Sequence, residues 1–367
     1  MKKEDAASLI VYAVMIGLAL FVGLGIIQPV FAANASVGGS QYAFAIISVI
    51  IGVFINAILL EVGHILGGLI GKYRIHSVNI FGFCFHKKSG KTHFAFRMFD
   101  GLTGETKFLP KSEKSNPRPA TLLPVLLYLI ELVAAIILYA LISTNVDVDL
   151  VWLSIGAIIV ASIGGMMTLY NIVPFKLDAI TDGYRLTLFA KKINIIAYNE
   201  LMLAENGDEP FTPRIFEEIT DFTAEVNLIS VYRNIKEKKF AEAETILTNI
   251  IANEAKTSNS THNRAIAQLL FLKIMNEPLE DAKAYYATIP TSIHRFIAND
   301  LSMPSLRAYV LIAGLMDDAQ GEIMYCLDRK KKAIKYTAPG IAEIENSLFK
   351  EALDKVKVAH PDWKLEQ

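Results

Sequence analysis

The sequence predicts a mainly α-helical, polytopic membrane protein with about four transmembrane helices and a soluble helical domain on its C-terminal side. The chain has 367 residues and is 53% hydrophobic, and the apolar excess lies before residue 176. Four apolar stretches in that part exceed the roughly 18 residues that are needed to cross a bilayer. They are Ala7–Ala32, Tyr42–Ile70, Leu122–Ser143 and Leu150–Pro174.

The first apolar stretch has features of both a transmembrane helix and a secretory signal. Lys2 and Lys3 precede it, and small residues at positions 32–35 look cleavable. A signal core is only about 7–15 residues long, however, and this stretch is longer. We therefore expect a retained additional helix, which forms an N-terminal segment over residues 1–41 together with an external loop.

The distribution of charge predicts the orientation of these helices. Ten Lys/Arg and three Asp/Glu lie between Lys72 and Arg118, whereas the loop 33–41 carries no charge and the loop 145–149 carries only acids. Because positive loops stay on the cytoplasmic side, we expect both termini to be cytoplasmic in a multi-pass protein of the cell membrane. Cys84 and Cys326 then lie on the reducing side, where no structural disulfide is expected.

The region 73–110 follows the second apolar stretch and has the pattern of a β-hairpin. Val78–Phe85 is rich in β-branched and aromatic residues, Thr92–Phe99 alternates with a strand-like period, and a polar turn ending in Gly90 separates them. Its many phenylalanines predict that the hairpin packs against the membrane boundary or the transmembrane helices. The alternative is an amphipathic loop that lies on the lipid surface.

The third apolar stretch contains two residues that are unusual in a membrane span, Pro124 and Glu131. Proline kinks a helix, and an acid near mid-depth must face the helix bundle or a cavity rather than lipid. Glu131 is therefore either a structural hydrogen-bonding residue or part of a polar cavity.

Residues 201–367 have the composition of a soluble helical domain, which we expect in the cytoplasm. Pro210 and Pro213 mark its beginning. Helical periodicity predicts five helices, and two of the segments resemble tetratricopeptide helices, although their separation of roughly forty residues exceeds the usual repeat of about 34. The alternative is a plain helical bundle. The domain is a candidate site for a protein partner, and we expect no nucleic-acid partner. The predicted helices are Thr220–Ile235, Ala241–Asn253, Arg264–Asn276, Leu279–Tyr286 and Ala342–Lys357.

Two short motifs carry ionisable or polar residues at the inner ends of two apolar stretches. Glu61 and His64 lie one helical turn apart in the second stretch, where ionisable residues are costly and indicate a functional site. They match the right half of the zinc-protease pattern H-E-x-x-H, but Leu60 occupies the position of the first histidine. The fourth stretch ends in Asn-x-x-Pro, formed by Asn171 and Pro174, and an Asp-Gly pair follows at Asp182.

Together these motifs resemble the two signatures of site-2 proteases, which are intramembrane zinc metalloproteases. The resemblance covers roughly residues 42–190, and the hairpin resembles that of a branch found in Gram-positive bacteria. It implies a membrane core over residues 42–200 that acts on a membrane-embedded peptide or a single-span protein within the lipid bilayer. The alternative without the resemblance is that Glu61 and His64 merely pair inside a helix bundle, or that they join Glu131 in the polar path of a small transporter.

The resemblance also assigns a role to each matching residue. Glu61 matches the general base that takes a proton from the zinc-bound water, and His64 and Asp182 match zinc ligands. Asn171 and Pro174 match residues that bind the substrate backbone. Asp178 is an alternative to Asp182, but only Asp182 is followed by glycine.

Leu60 departs from the family pattern because leucine cannot bind zinc. A catalytic zinc site has three protein ligands and one water, so the two remaining ligands predict little or no proteolysis and a zinc site of doubtful occupancy. The chain is then either a copy with an inactivating change or a natural pseudoprotease that binds a membrane peptide as a receptor, immunity factor or chaperone. The spacing of His76, His86 and His93 does not indicate a replacement ligand.

Overall fold

The structure is a computed structural model that describes residues 3–33, 39–88, 91–96, 104–143, 148–177, 180–207 and 211–365. The chain divides into two compact units, Met1–Ile195 and Ile196–Gln367. The first unit contains the long apolar helices and a small sheet, and the second is helical.

Four helices of the first unit are long and apolar enough to cross a membrane, which confirms the helices predicted from composition. The last of them ends at Asn171 rather than at the predicted Pro174, as expected when a proline lies a few residues beyond a helix end. The first contains a π-helical segment, Phe21–Ile27, just before Pro29, and such bulges commonly accompany prolines and kinks. The helical segments are α1 (Lys3–Leu20), α2 (Gln28–Ala33), α3 (Ser40–Ile70), α4 (Arg118–Ser143) and α5 (Val148–Asn171).

Glycines on α3 allow its close contact with α4. A Cβ atom at Gly63 would lie 2.6 Å from the Cα of Pro124, and one at Gly67 would collide with the carbonyl group of Pro119. Real side chains do not approach backbone atoms this closely, so the two helices can pack in this way only without side chains at these positions. Small residues serve the same purpose in membrane helix pairs generally.

Polar groups connect α3 to both neighbouring helices. The Asn56 side-chain amide donates a 2.8 Å hydrogen bond to the carbonyl of Val160 on α5. The Tyr128 hydroxyl on α4 donates a 2.8 Å hydrogen bond to the carbonyl of Asn56. Because lipid offers no competing partners, such bonds help to fix the positions of the three helices relative to one another.

A four-stranded antiparallel sheet with the order β3-β2-β1-β4 follows α3. The prediction of one strand over Val78–Phe85 is wrong, because a tight turn at Phe81 and Gly82 divides that segment. Both turn residues have positive φ, 50° and 88°, as a two-residue hairpin turn requires. Ser89 and Gly90 of the predicted polar turn lie outside the described residues, between the second and third strands. The strands are β1 (Tyr73–Ile80), β2 (Phe83–Lys88), β3 (Lys91–Phe96) and β4 (Gly104–Pro110).

The sheet packs against α3, as predicted for an apolar hairpin, and is not an irregular loop. The ring of Phe81, at the β1–β2 turn, lies 4.6 Å from the ring of Phe54 on α3. The ring of Phe108 on β4 lies against Gly68 near the end of α3, where a Cβ atom would collide with it. The sheet therefore runs back along α3 past the position of Glu61. Four phenylalanines remain exposed on its outer hairpin, namely Phe83, Phe85, Phe94 and Phe96.

The second unit is a helical bundle in which α15 contacts both α8 and α13. The first and last helices of the bundle therefore meet, which favours the plain bundle over an open tetratricopeptide solenoid. The five predicted helices are present, and three between Thr291 and Tyr336 were not predicted. Two short helices, α6 (Asp182–Leu188) and α7 (Lys192–Asn206), precede the bundle. Its helices are α8 (Asp221–Lys236), α9 (Phe240–Ala252), α10 (Asn259–Asn276), α11 (Leu279–Thr288), α12 (Thr291–Asn299), α13 (Met303–Leu315), α14 (Gln320–Tyr336) and α15 (Pro339–Ala359).

A buried polar network lies in the centre of this bundle. The Arg307 guanidinium on α13 donates to the carboxylate of Glu345 on α15 and to the amide oxygen of Gln268 on α10. All three side chains are fully buried. Burial raises the pKa of the Glu345 carboxyl, and the positive charge of Arg307 opposes that shift. Because a buried charge without a partner is costly, the network specifies how α10, α13 and α15 pack.

The contact between α3 and α4 gives the first testable prediction. Gly63→Ala should destabilise the folded protein by about 1–3 kcal/mol, the usual cost of overpacking, because its Cβ would meet the backbone of Pro124. Gly165→Ala on α5 is the matched control, since nothing lies within 4 Å of its Cβ position. The measurement is unfolding by sodium dodecyl sulfate in detergent micelles. An equal effect of both substitutions would contradict the proposed close contact.

Candidate functional site

Glu61 lies in the C-terminal half of α3 and is almost completely buried, with 1% of its surface exposed. Its carboxylate accepts a hydrogen bond from the hydroxyl of Thr106 on β4. A Cβ atom at Gly104, also on β4, would lie 2.7 Å from a Glu61 carboxylate oxygen. The sheet therefore covers this carboxylate, and glycine at position 104 leaves the space that it occupies.

His64 is oriented by a backbone carbonyl at the beginning of α4. Its Nδ1 atom lies 2.9 Å from the carbonyl oxygen of Ala120. In an α-helix that carbonyl would accept from the backbone amide of residue 124, but Pro124 has no N–H. The carbonyl can only accept a hydrogen bond, so Nδ1 carries a proton, and Nε2 is the ring nitrogen that remains for other partners. Metal-binding histidines are commonly oriented in this way.

Asp182 is the first residue of α6, and its carboxylate faces the Nε2 atom of His64. The distance from His64 Nε2 to Asp182 Oδ2 is 3.6 Å. Thr181 caps α6 by accepting from the amide of Tyr184 at 3.3 Å. Gly183 is needed because a Cβ atom there would collide with the carbonyl of Ile172. The Asp-Gly pair thus places an acid where the beginning of α6 contacts the segment that follows α5.

The other predicted site residues are less closely associated with this group. Asn171 is half-buried at the end of α5, and Pro174 is exposed. In the part of the chain that the structure describes, no hydrogen bond joins Asn171 to Glu61, His64 or Asp182. Asp178, the alternative to Asp182, lies outside the described residues.

The residues at the site fit two zinc ligands but not three. Two ligands about 2.0–2.1 Å from a tetrahedral zinc ion lie about 3.3 Å apart, and the 3.6 Å distance between His64 and Asp182 is close to this value. Leu60, at the position of the third ligand, is a buried apolar side chain. Among the described residues, no group of three His, Cys, Asp or Glu side chains could hold a metal ion. The side chains that the structure describes at this site therefore do not complete a catalytic zinc site.

The histidines of the sheet form a separate feature of the structure. His86 on β2 and His93 on β3 are cross-strand partners, with ring centroids 5.7 Å apart. They belong to the outer hairpin, whereas β1 and β4 are the strands that contact α3. Neither side chain belongs to a metal-binding group with His64 and Asp182 within the described ranges.

Sequence reasoning missed three partners of the site, namely Thr106, Arg185 and the Ala120 carbonyl. The Arg185 guanidinium lies 3.5 Å from the second carboxylate oxygen of Asp182. It lies three residues after Asp182, so its position on one helix face could have indicated this contact. The carbonyl had a signal too, since Pro124 follows Ala120 by four residues. No sequence signal indicated Thr106, because strand pairing determines its position beside Glu61.

The chain matches no protein-family model, no curated protein and no solved structure. The site is therefore interpreted from its geometry and chemistry and from the motifs of the sequence.

Ligand count gives the prediction for this site. The protein should purify without stoichiometric zinc, whereas Leu60→His should bind about one zinc ion per chain, because it restores two histidines at i and i+4 beside Asp182. Zinc is measured by mass spectrometry of metals after dialysis against a weak chelator. The control is Leu60→His combined with Asp182→Asn, which should lose the metal again. One tightly held zinc in the unchanged protein would contradict the prediction.

Proposed function

We propose that this chain is a membrane protein of the site-2 protease type that binds a membrane-embedded peptide or transmembrane segment without cleaving it. The observation that supports the proposal most is the convergence of Glu61, His64 and Asp182 at one buried site. They come from α3 and α6, which more than one hundred residues separate. A pair that merely neutralised charge inside a bundle would not need the Nδ1 proton of His64 to be held by a carbonyl.

In this proposal Glu61 and His64 supply the acid-base part of the site, and the metal part lacks one ligand. Thr106 positions the Glu61 carboxylate, and the Ala120 carbonyl positions the imidazole of His64. Zinc would supply the activated water and would polarise the scissile carbonyl. With Leu60 in place of a ligand, we expect the site to hold a peptide but not to activate water.

Two interpretations of Leu60 follow from this proposal. In the first, the fold is that of an intramembrane zinc metallopeptidase, and this copy is inactive because one ligand is replaced. In the second, the protein is a natural pseudoprotease that acts as a receptor, immunity factor or chaperone for a membrane peptide. The two differ in whether restoring one histidine restores cleavage.

A peptide assay distinguishes these interpretations. The probe is a synthetic single-span peptide of leucine and alanine with an Asn-Gly pair near one end, because a peptide bond must leave the helix before it can be attacked. Binding is measured by fluorescence in lipid nanodiscs, and cleavage by mass spectrometry. We expect the unchanged protein to bind the peptide and leave it intact.

The variants decide between a disabled protease and a pseudoprotease. Cleavage by Leu60→His that stops when Glu61→Gln is added, with zinc retained, identifies a disabled protease. Zinc binding by Leu60→His without cleavage identifies a natural pseudoprotease. Failure of every variant to bind the peptide would contradict the proposed function.

We also propose that the protein is a multi-pass protein of the cell membrane with both termini in the cytoplasm. The support is the excess of Lys and Arg between Lys72 and Arg118, on the same side of the helices as Asp182. The sheet and α6 would then lie at the cytoplasmic face.

Labelling of single cysteines in intact cells tests this orientation. Cys84 and Cys326, which are buried and free, are first replaced by alanine. A reagent that does not cross membranes should modify a cysteine at Ser40 but not one at Ser260, both of which are exposed positions. After the cells are permeabilised, both should react. The reverse pattern in intact cells would contradict the orientation.

A further inference from the structure

A partly open cavity lies between α3, α4 and α5, apart from the site at Glu61. Its volume is about 440 Å³, which lies in the usual range for ligand sites. Most of its lining is aliphatic or aromatic, including Phe44, Ile51 and Leu138. Only Ser48 and Glu131 bring polar side chains into the lining.

Glu131 has no hydrogen-bond partner for either carboxylate oxygen among the described residues, and both oxygens are buried. The amide oxygen of Asn56 is also buried and without a partner there. This atom of the Asn56 amide is the oxygen and not the nitrogen, because the nitrogen donates to the carbonyls of Gly52 and Val160. Two acceptor groups, Glu131 in the lining of the cavity and Asn56 just outside it, are thus left without donors among the described residues.

These two acceptors lie close together. A Cβ atom at Gly164 on α5 would meet both the Asn56 amide oxygen and a Glu131 carboxylate oxygen. Glycine at this position leaves the space in which the two groups approach α5. Neither acceptor can satisfy the other when Glu131 is ionised, and a protonated amine, with three N–H donors and a positive charge, can satisfy both.

The depth of Glu131 indicates the source of such an amine. In a spanning α4, Glu131 lies about 20 Å along a helix of about 39 Å, close to the middle of the bilayer. Lipid head groups lie at the edges of the hydrocarbon layer, about 15 Å from its centre. The side chains of a membrane-embedded peptide, by contrast, reach every depth.

We propose that this cavity is a specificity subsite that takes a lysine side chain from the middle of a bound membrane peptide. The inference rests on the proposed function, since it names a feature of the same peptide. The aliphatic part of lysine would contact the apolar lining, and its ammonium would bind Glu131 and Asn56. A lysine in a span is costly in lipid, so the subsite would select strongly for such a peptide.

The test compares two peptides in nanodiscs that contain the full-length protein. Both are single-span peptides of leucine and alanine with an Asn-Gly pair near one end. One has a central lysine, and the other has norleucine at that position. We expect the protein to bind the lysine peptide at least 10-fold more tightly. Glu131→Gln, which keeps the size of the side chain, should abolish this preference.

Two further variants complete the test. Gly164→Ala should also reduce the preference, because its Cβ displaces both acceptors. Glu113→Gln removes an exposed acid that lies between β4 and α4, and it should leave the preference unchanged. Thermal unfolding of each variant shows whether it is folded.

The outcomes separate this inference from the proposed function. Equal binding of both peptides by the unchanged protein overturns the lysine subsite but leaves peptide binding in place. A lysine preference that survives Glu131→Gln also overturns the subsite. The subsite is likewise overturned if a variant loses thermal stability but still prefers the lysine peptide. If neither peptide binds, the proposed function fails, and the subsite fails with it.

Discussion

The hydrogen bond between His64 and the Ala120 carbonyl is the interaction on which the site depends. Two features of the sequence make it available. Pro124 leaves the carbonyl without its helical partner, and Gly63 and Gly67 let α4 come close enough to α3 for the bond to form. The bond fixes the orientation of the imidazole and directs its Nε2 atom at Asp182. The packing of α4 against α3 therefore determines how the His64 side chain is oriented in the site.

The site that results brings Glu61, His64 and Asp182 together, and the apolar Leu60 precedes Glu61 in α3. His64, Asp182 and Glu61 each have a hydrogen-bond or ion-pair partner in the structure. Leu60 is a buried apolar side chain at the position where the site-2 protease motif has a histidine. This arrangement agrees with the proposed function, in which a site of the site-2 protease type binds a peptide without cleaving it.

The sequence predicted the parts of the fold that composition and periodicity determine. The four apolar helices follow from their length and hydrophobicity, and Glu61, His64 and Asp182 follow from two short motifs. The turn at Phe81 was missed because phenylalanine rarely takes a positive φ. Helix α13 was missed because it is buried on nearly all sides and has no polar face to produce a period. Thr106 depended on strand pairing over a long separation, which no local pattern encodes.

A cysteine-bridging experiment tests the central claim, that residues of α3 and α6 face each other across one site. Cysteines replace His64 and Asp182 in a chain without Cys84 and Cys326, and a thiol crosslinker with a reach of about 5 Å is added, to match side chains that can share a metal ligand shell. The account predicts that peptide mapping finds the two positions joined in nearly every folded molecule. Modification of each cysteine separately, without a bridge, would contradict it.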